Sequence, residues 1–304
     1  MCPGVWLMKI SAHAKLNIGL KITGKRPDGY HELDMVFLEI GYGDELEVKK
    51  TDDGIFFTCS DASVPGDEKN LAYKAAVLML EKYGINGGLE IHLEKHIPSG
   101  AGLGGGSSDA AAVMNAVNEL YGLGLLPEDM NADAARIGAD VPFFLSGGCQ
   151  RAGGTGEKLE NIGTFPECTI VVIKPEDISV STPAAYKAYD EMTESIACST
   201  DLVGGSERTK EIDAITAAVK SGDLKAVCRA MTNDLEAPVT AGCPVISELR
   251  SMLTEEGADG AMMTGSGSAV FGLFSERADA ERCMERIQSK NKVECFIAKP
   301  VTGK

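Results

Sequence analysis

The sequence predicts an α+β protein of two domains, with mostly antiparallel sheets and helices packed on them. Three observations carry that prediction. The chain has 304 residues, which at roughly 100–200 residues per domain makes one large or two ordinary domains. Its 44% hydrophobic and 24% charged residues are those of an average globular chain and exclude disordered and fibrous classes. Its first half mixes alternating apolar and polar runs with a few helical stretches, whereas its second half closes strand–helix–strand.

In chain order, strands are predicted at 9–13, 16–23, 35–40, 45–50, 55–58 and 89–95, several of them alternating as half-buried antiparallel strands do. The spacing predicts a helix over 71–83, with Leu71, Ala75, Leu78 and Met79 on one stripe. A second, over 109–121, sets Val113, Met114, Val117, Leu120 and Tyr121 at helical spacing and stops at Gly122. The short apolar run 168–174 reads as a buried strand opening the second half. The boundary falls at about 160–167, giving domains 1–163 and 164–304. The polar stretch 191–210, with Gly204-Gly205 inside it, is expected to be the most flexible segment. Helices follow at 211–220, 224–231 and 245–256. Strands at 260–263 and 269–274, a helix over 277–289 and a strand at 293–297 close the chain.

There are 45 acidic and 29 basic side chains, a formal net charge of −16. Such a surface repels nucleic acid and anionic lipid, so neither is an expected partner. The charge does not exclude an anionic small molecule, because a small pocket can be locally positive. The nine cysteines are odd in number, scattered and without any Cys-x-x-Cys pair. Reduced thiols in a reducing cytoplasm are therefore expected, rather than a disulfide framework or a thiolate zinc site. No apolar stretch approaches the roughly 18–20 residues that span a bilayer, and Met1 to Lys9 lacks the apolar length and leading basic region of a signal peptide.

The most informative stretch is Pro98-Ser-Gly-Ala-Gly-Leu-Gly-Gly-Gly-Ser-Ser-Asp109, which follows a strand and runs into a helix. Its glycines let the backbone approach a ligand closely. Ser107, Ser108 and Asp109 are good N-cap types. Unpaired N–H groups at the positive end of a helix favour phosphate. No lysine precedes Ser107, which excludes the Walker A loop. Gly100-x-Gly102-x-x-Gly105 matches the dinucleotide fingerprint, yet the acidic residue expected about 20 positions later is replaced by Tyr121, at a helix end. Protein-kinase signatures are absent. His92 and His96 lie on a strand and do not meet helical zinc spacing.

Other residues read two ways. Asp140, inside the apolar run 137–144, is either a helix-capping or turn aspartate or a proton acceptor. Lys15, between Ala12, Ala14, Leu16 and Ile18, is either solvated on an exposed strand face or aimed into a site. His31 suits a surface loop, Lys95 a solvated strand end, Tyr186 ordinary helix packing and 264–267 a hairpin turn.

Pro98-x-x-x-Gly-Leu-Gly running into Ser107-Ser108 resembles the phosphate loop of the galactokinase, homoserine kinase, mevalonate kinase and phosphomevalonate kinase superfamily. The variant Gly102-Leu-Gly-Gly-Gly-Ser-Ser-Asp-Ala110, with extra glycine, resembles the branch that phosphorylates a cytidine diphosphate conjugate of methylerythritol on its 2-hydroxyl. Further segments are similar, in family order: Ala14-Lys-Leu-Asn17, Thr23-Gly-Lys-Arg-Pro-Asp-Gly-Tyr-His-Glu32, Tyr42-Gly-Asp44, Glu68-Lys-Asn-Leu71, 137–144, 152–157, Asn233-Asp-Leu-Glu236 and Thr264-Gly-Ser-Gly267. Cys149-Gln-Arg151 departs from a more alanine-rich strand, and 191–210 carries no motif.

The resemblance implies that superfamily's two-domain small-molecule kinase fold, with ATP and Mg2+. It implies Lys15 and Asp140 as catalytic residues. Asn70 would read adenine, and Lys95, Pro98, Gly100, Gly102, Leu103, Gly104, Gly105, Gly106, Ser107 and Ser108 would surround the phosphates. Asn17 and Thr182 would touch the substrate, His31 would hydrogen-bond the cytosine, and Tyr30 and Tyr186 would stack on its two faces. Residues 264–267 would close the site near Asp140. No metal ligand is assigned, although either serine hydroxyl could serve. Mevalonate and homoserine lack a nucleobase, so Tyr30, His31 and Tyr186 argue against them. Lys15 with Asp140 argues against an inactive ligand sensor.

Overall fold

The computed structural model describes residues 7–197 and 209–302. The described elements begin with β1 (Leu7–Lys25), β2 (His31–Thr51), β3 (Ile55–Cys59), α1 (Leu71–Lys82), β4 (Gly88–Glu94) and α2 (Gly105–Tyr121). Then come α3 (Pro127–Ile137), α4 (Val141–Ser146), β5 (Cys149–Gly154), β6 (Lys158–Asn161), β7 (Thr169–Pro175) and α5 (Thr182–Ala197). The remainder is α6 (Lys210–Ser221), α7 (Leu224–Ala230), β8 (Thr232–Asn233), α8 (Glu236–Gly242) and α9 (Pro244–Glu255), followed by β9 (Gly260–Met263), β10 (Val270–Phe274), α10 (Arg277–Lys290) and β11 (Val293–Ala298).

These elements form two compact units that interleave along the chain. Among the described residues, one gathers Leu7–Ala14, Tyr42–Ile97 and Gly104–Gly147; the other gathers Lys15–Gly41, Pro98–Leu103 and those from Gly148. A cut at 160–167 therefore falls inside the second unit.

In the first unit, Glu45–Thr51 of β2 runs antiparallel to β4, and β3 runs parallel to β4. The alternation seen in sequence has its physical cause here: Leu46, Val48, Leu89, Ile91 and Leu93 are fully buried, while their neighbours face outward. Helix α1 packs on α2, and α3 and α4 pack beside them. Alanine supplies much of that interface, with Ala72, Ala75, Ala76, Ala110, Ala111 and Ala116 all buried. Small side chains let two helices approach closely without losing helix propensity.

In the second unit, β5 pairs antiparallel with the first half of β2, β6 extends β5, and β8 runs parallel to β1 at Gly19 and Leu20. A separate four-stranded sheet has the order β11-β7-β10-β9, antiparallel throughout. Every residue of β7 is buried, because the strand lies between two others and under α9 and α10. That position explains the continuous apolar run. Sequence reasoning expected 191–210 to be flexible; residues 191–197 instead continue α5, and 198–208 lie outside the described residues.

Candidate active site

In the first unit, the glycine-rich loop enters α2. Sequence reasoning expected the helix from residue 109, capped by Ser107, Ser108 or Asp109. The helix begins at Gly105, and its N-cap is Gly104, held left-handed at φ 74° and ψ 17°. Only glycine adopts that conformation at little cost, so the turn is made before the serines. Ser107 and Ser108 lie in the first turn, with Ser108 buried. The first-turn N–H groups have no intrahelical acceptor and face the positive end of a 17-residue helix. That is the local chemistry of an anion cradle.

Lys95 lies beneath this cradle. A Cβ on Gly105 would stand 2.8 Å from its Nζ. The ammonium donates to Asp44 Oδ2 and, at 3.3 Å, to Asp109 Oδ2. Asp44 Oδ1 also accepts the backbone N–H groups of His96 at 2.5 Å and Ile97 at 2.7 Å. Burial drives the Asp109 carboxyl up to about 8; Lys95 pulls against this and the Asp44 charge adds to it. Lys95 is thus not the solvated strand-end lysine of one sequence reading but the centre of a buried three-residue cluster. Asn70 caps α1: its Oδ1 accepts Ala72 N–H at 2.8 Å, and its Nδ2 donates to the Pro65 carbonyl at 2.9 Å. One further donor and one acceptor capacity remain on such an amide.

Asp140 stands in a turn at the N-cap position of α4, with no side-chain capping bond. The five residues after it are buried. Ser107 Oγ lies 3.8 Å from where a Cβ on Gly138 would be, so the first turn of α2 and the segment leading to Asp140 converge.

In the second unit, Lys15, Asn17, the loop up to Leu103 and the turn 264–267 come together. Lys15 is 4% exposed, so the solvated reading fails. Its backbone N–H donates to the Leu103 carbonyl at 2.9 Å. Its ammonium donates to Asn17 Oδ1 and lies 5.2 Å from the Phe37 ring centroid. Asn17 N–H donates to Thr264 Oγ1 at 3.0 Å. At Gly265, a Cβ would stand 3.3 Å from Lys15 Nζ and 3.2 Å from Asn17 Oδ1. Gly102 holds φ +77°, and its Cβ would fall 2.4 Å from the Thr264 carbonyl oxygen. Residues 264–267 lie in the hairpin turn between β9 and β10, as one sequence reading has it, and that turn packs as a wall against the loop. Asn233 ties that wall down, donating to the carbonyls of Met263 at 2.8 Å and Gly265 at 2.9 Å. Gly100 approaches Ser179, and Thr182 Oγ1 lies 3.1 Å from Ser266 Oγ.

A third group forms around His31, which is 9% exposed and so not a surface-loop histidine. Its ring stacks on Tyr186, with centroids 4.8 Å apart and planes 18° apart, and meets Tyr189 edge-on at 6.2 Å. Its Nε2 is 2.8 Å from Asp190 Oδ1, and Asp190 Oδ2 accepts from Lys25 at 2.6 Å. Burial pushes the Asp190 carboxyl up, but the hydrogen bonds from Lys25 and His31 outweigh it and hold it below the usual carboxylate range. Tyr30, next in sequence to His31, is 68% exposed. Tyr189 and Asp190 escaped sequence reasoning. The signal was present: Tyr186, Tyr189 and Asp190 are spaced i, i+3, i+4, which puts them on one face of a helix. Asp44 and Asp109, the partners of Lys95, also escaped it. Among the described residues, no group of three or more His, Cys, Asp or Glu side chains could hold a metal ion.

Two family models match the chain: GHMP kinases N terminal domain over residues 70–148, and GHMP kinases C terminal over residues 215–293. A protein from a Synechococcus strain is 41% identical over 263 residues, covering 86% of this chain and 84% of its own length. One from Exiguobacterium sibiricum is 41% identical over 274 residues, covering 90% and 91%. Both bear the name 4-diphosphocytidyl-2-C-methyl-D-erythritol kinase. Among solved structures, a 4-(cytidine 5'-diphospho)-2C-methyl-D-erythritol kinase superposes with a TM-score of 0.78 at 36% identity, over 96% of this chain and 99% of that one. A homoserine kinase from Cytophaga hutchinsonii superposes with a TM-score of 0.75 at 21% identity, over 98% and 95%, a likeness of fold alone.

Proposed function

Because the chain belongs to the 4-diphosphocytidyl-2-C-methyl-D-erythritol kinase family of GHMP kinases, we propose that it transfers the γ-phosphoryl group of ATP to the 2-hydroxyl of 4-diphosphocytidyl-2-C-methyl-D-erythritol. The observation that carries the reading is 41% identity to kinases of that name over most of both chains. The reaction is a step of the methylerythritol phosphate route to isoprenoid precursors. We assign it to the cytoplasm; among the described residues no helix is long and apolar enough to cross a membrane.

Phosphoryl transfer to an alcohol needs positioning, charge neutralisation and an acceptor for the hydroxyl proton. Asp140 is the acceptor in this reading. Lys15, buried and held by Asn17, offsets charge on the transferred group. The first-turn N–H groups of α2 take nucleotide phosphates, with Pro98, Gly100, Gly102, Leu103, Gly104, Gly105, Gly106, Ser107 and Ser108 shaping the cradle. Lys95 keeps positive charge under Gly105, and Asn70 lines the adenine site. Asn17 and Thr182 touch the sugar alcohol, while Tyr30, His31 and Tyr186 take the cytosine. Magnesium would be carried in on the nucleotide, where the Ser107 or Ser108 hydroxyl could serve it, and when bound would neutralise phosphate charge. Residues 1–163 then form the ATP-binding and catalytic part, and 164–304 complete the substrate site.

The test is Asp140→Asn. Turnover should fall by about 100- to 10,000-fold, the size of a general-base contribution, with nucleotide affinity retained by titration. Turnover near that of the parent would remove Asp140 from the mechanism.

A further inference from the structure

His31 is gripped from three sides within the second unit. Tyr186 fixes the plane of the imidazole by stacking, and Tyr189 meets its edge. Neither ring distinguishes one imidazole nitrogen from the other. Asp190 does. Its carboxylate lies between two donors, Lys25 Nζ at 2.6 Å on one oxygen and His31 Nε2 at 2.8 Å on the other. An ionised carboxylate only accepts hydrogen bonds, so the proton of this contact is on Nε2. A neutral imidazole with its proton on Nε2 presents Nδ1 as an acceptor. The plane is thus set by two tyrosines, and the chemical identity of the other ring nitrogen by one aspartate.

We propose that Asp190, itself anchored by Lys25, is a positioning residue that holds His31 in the Nε2–H tautomer and thereby makes the site select a nucleobase that offers an amino group over one that offers a carbonyl. The inference rests on the reading of His31 as a contact to the base. Cytosine carries an exocyclic amino donor where uracil carries a carbonyl acceptor. An acceptor nitrogen pairs with the first and opposes the second. Stacking alone tolerates any base, whereas a site built around a polar contact rejects an analogue that leaves its own group unpaired. The preference therefore depends on which proton His31 holds, and Asp190 decides that.

The experiment joins a spectroscopic and a kinetic readout. Nitrogen-15 NMR of histidine-labelled protein reads the tautomer of His31 without substrate. Steady-state kinetics with the cytidine and uridine diphosphate conjugates of methylerythritol read the preference. In the parent, His31 should show a protonated Nε2 and an unprotonated Nδ1. Asp190→Ala should leave the tautomers exchanging. Its preference for the cytidine conjugate should drop about tenfold or more, the scale of a lost hydrogen bond to a charged group. The drop should come through the KM of the cytidine conjugate, with the KM of ATP unmoved. Lys25→Ala, which leaves the His31 contact in place, should keep the Nε2–H tautomer and most of the preference. A purely structural role for Asp190 would lower kcat and raise both KM values together in both variants, and would overturn the proposal. So would an Asp190→Ala protein that keeps the parent tautomer and the parent preference. If the parent phosphorylates neither conjugate, the functional reading falls and takes the base-selection claim with it. If the parent prefers cytidine and Asp190→Ala does so equally, only the present inference falls.

Discussion

Replacing Gly102 with alanine tests the wall between the loop and the turn 264–267. At φ +77° the residue sits in the left-handed region, which costs an alanine roughly 1–2 kcal/mol. The new methyl would also stand 2.4 Å from the Thr264 carbonyl oxygen and 3.2 Å from the Gly267 nitrogen, closer than a carbon can sit to a carbonyl oxygen, and both neighbours are backbone. No rotamer change relieves that contact, so the loop or the turn must retreat. The unliganded variant relaxes out of the strained shape, and nucleotide binding must restore it. At about 1.4 kcal/mol per tenfold, the backbone strain alone predicts an ATP affinity lower by about 5- to 30-fold. The overlap adds to this. Gly122→Ala is the control. Its φ is +64°, with no atom within 4 Å of the added Cβ, at the far end of α2. It should lose a similar amount of stability and no ATP affinity. Calorimetric titration with a non-hydrolysable ATP analogue, alongside thermal unfolding, separates the two. Unchanged affinity in Gly102→Ala, or an equal loss in Gly122→Ala, would show that this wall does not shape the nucleotide site.

Asn233→Ala removes both donors that hold the carbonyls of Met263 and Gly265. Leaving partly buried carbonyls unpaired should cost about 1–2 kcal/mol and lower Tm by about 3–6 °C, read by calorimetry. Turnover should fall further than stability explains, because the freed turn contacts Lys15 and Asn17. Burial pushes the thiols of Cys149, Cys168 and Cys295 up to about 12, and those of Cys228 and Cys283 up to about 11. At pH 8 they remain protonated and unreactive, since the thiolate is the nucleophile. Native iodoacetamide treatment should leave these five unlabelled by mass spectrometry, and denaturation should expose all of them as free thiols. Rapid native labelling, or a disulfide between any two, would contradict this.

The chemistry-bearing loops were more legible than the strands that hold them. Glycine punctuation and motif order pointed to the loop before α2 and to Lys15 and Asp140. The two long strands were each read as two. Lys15 and Asn17 break the apolar pattern of β1 while buried, their polar groups bonded to each other and to Thr264. Gly41 and Gly43 look like turn signals, yet β2 continues through them. A Cβ at Gly43 would stand 2.4 Å from the Ala12 carbonyl oxygen, so glycine is required there by close approach and not by a turn. The start of α2 was misplaced because serine is the common cap, and a left-handed glycine can do the same work. Asp190 was hidden for another reason. Its partners, Lys25 and His31, are more than 150 residues away in sequence, and no local pattern reports such a pairing.

In the proposed function this chain phosphorylates one alcohol of one nucleotide conjugate. Phosphorus NMR of the product formed from ATP and 4-diphosphocytidyl-2-C-methyl-D-erythritol tests it most directly, run beside free methylerythritol, mevalonate and homoserine. A new phosphomonoester should appear on the 2-hydroxyl of the cytidine conjugate, with negligible product from the other three. Equal phosphorylation of free methylerythritol, or a phosphoryl group on a different hydroxyl, would contradict it.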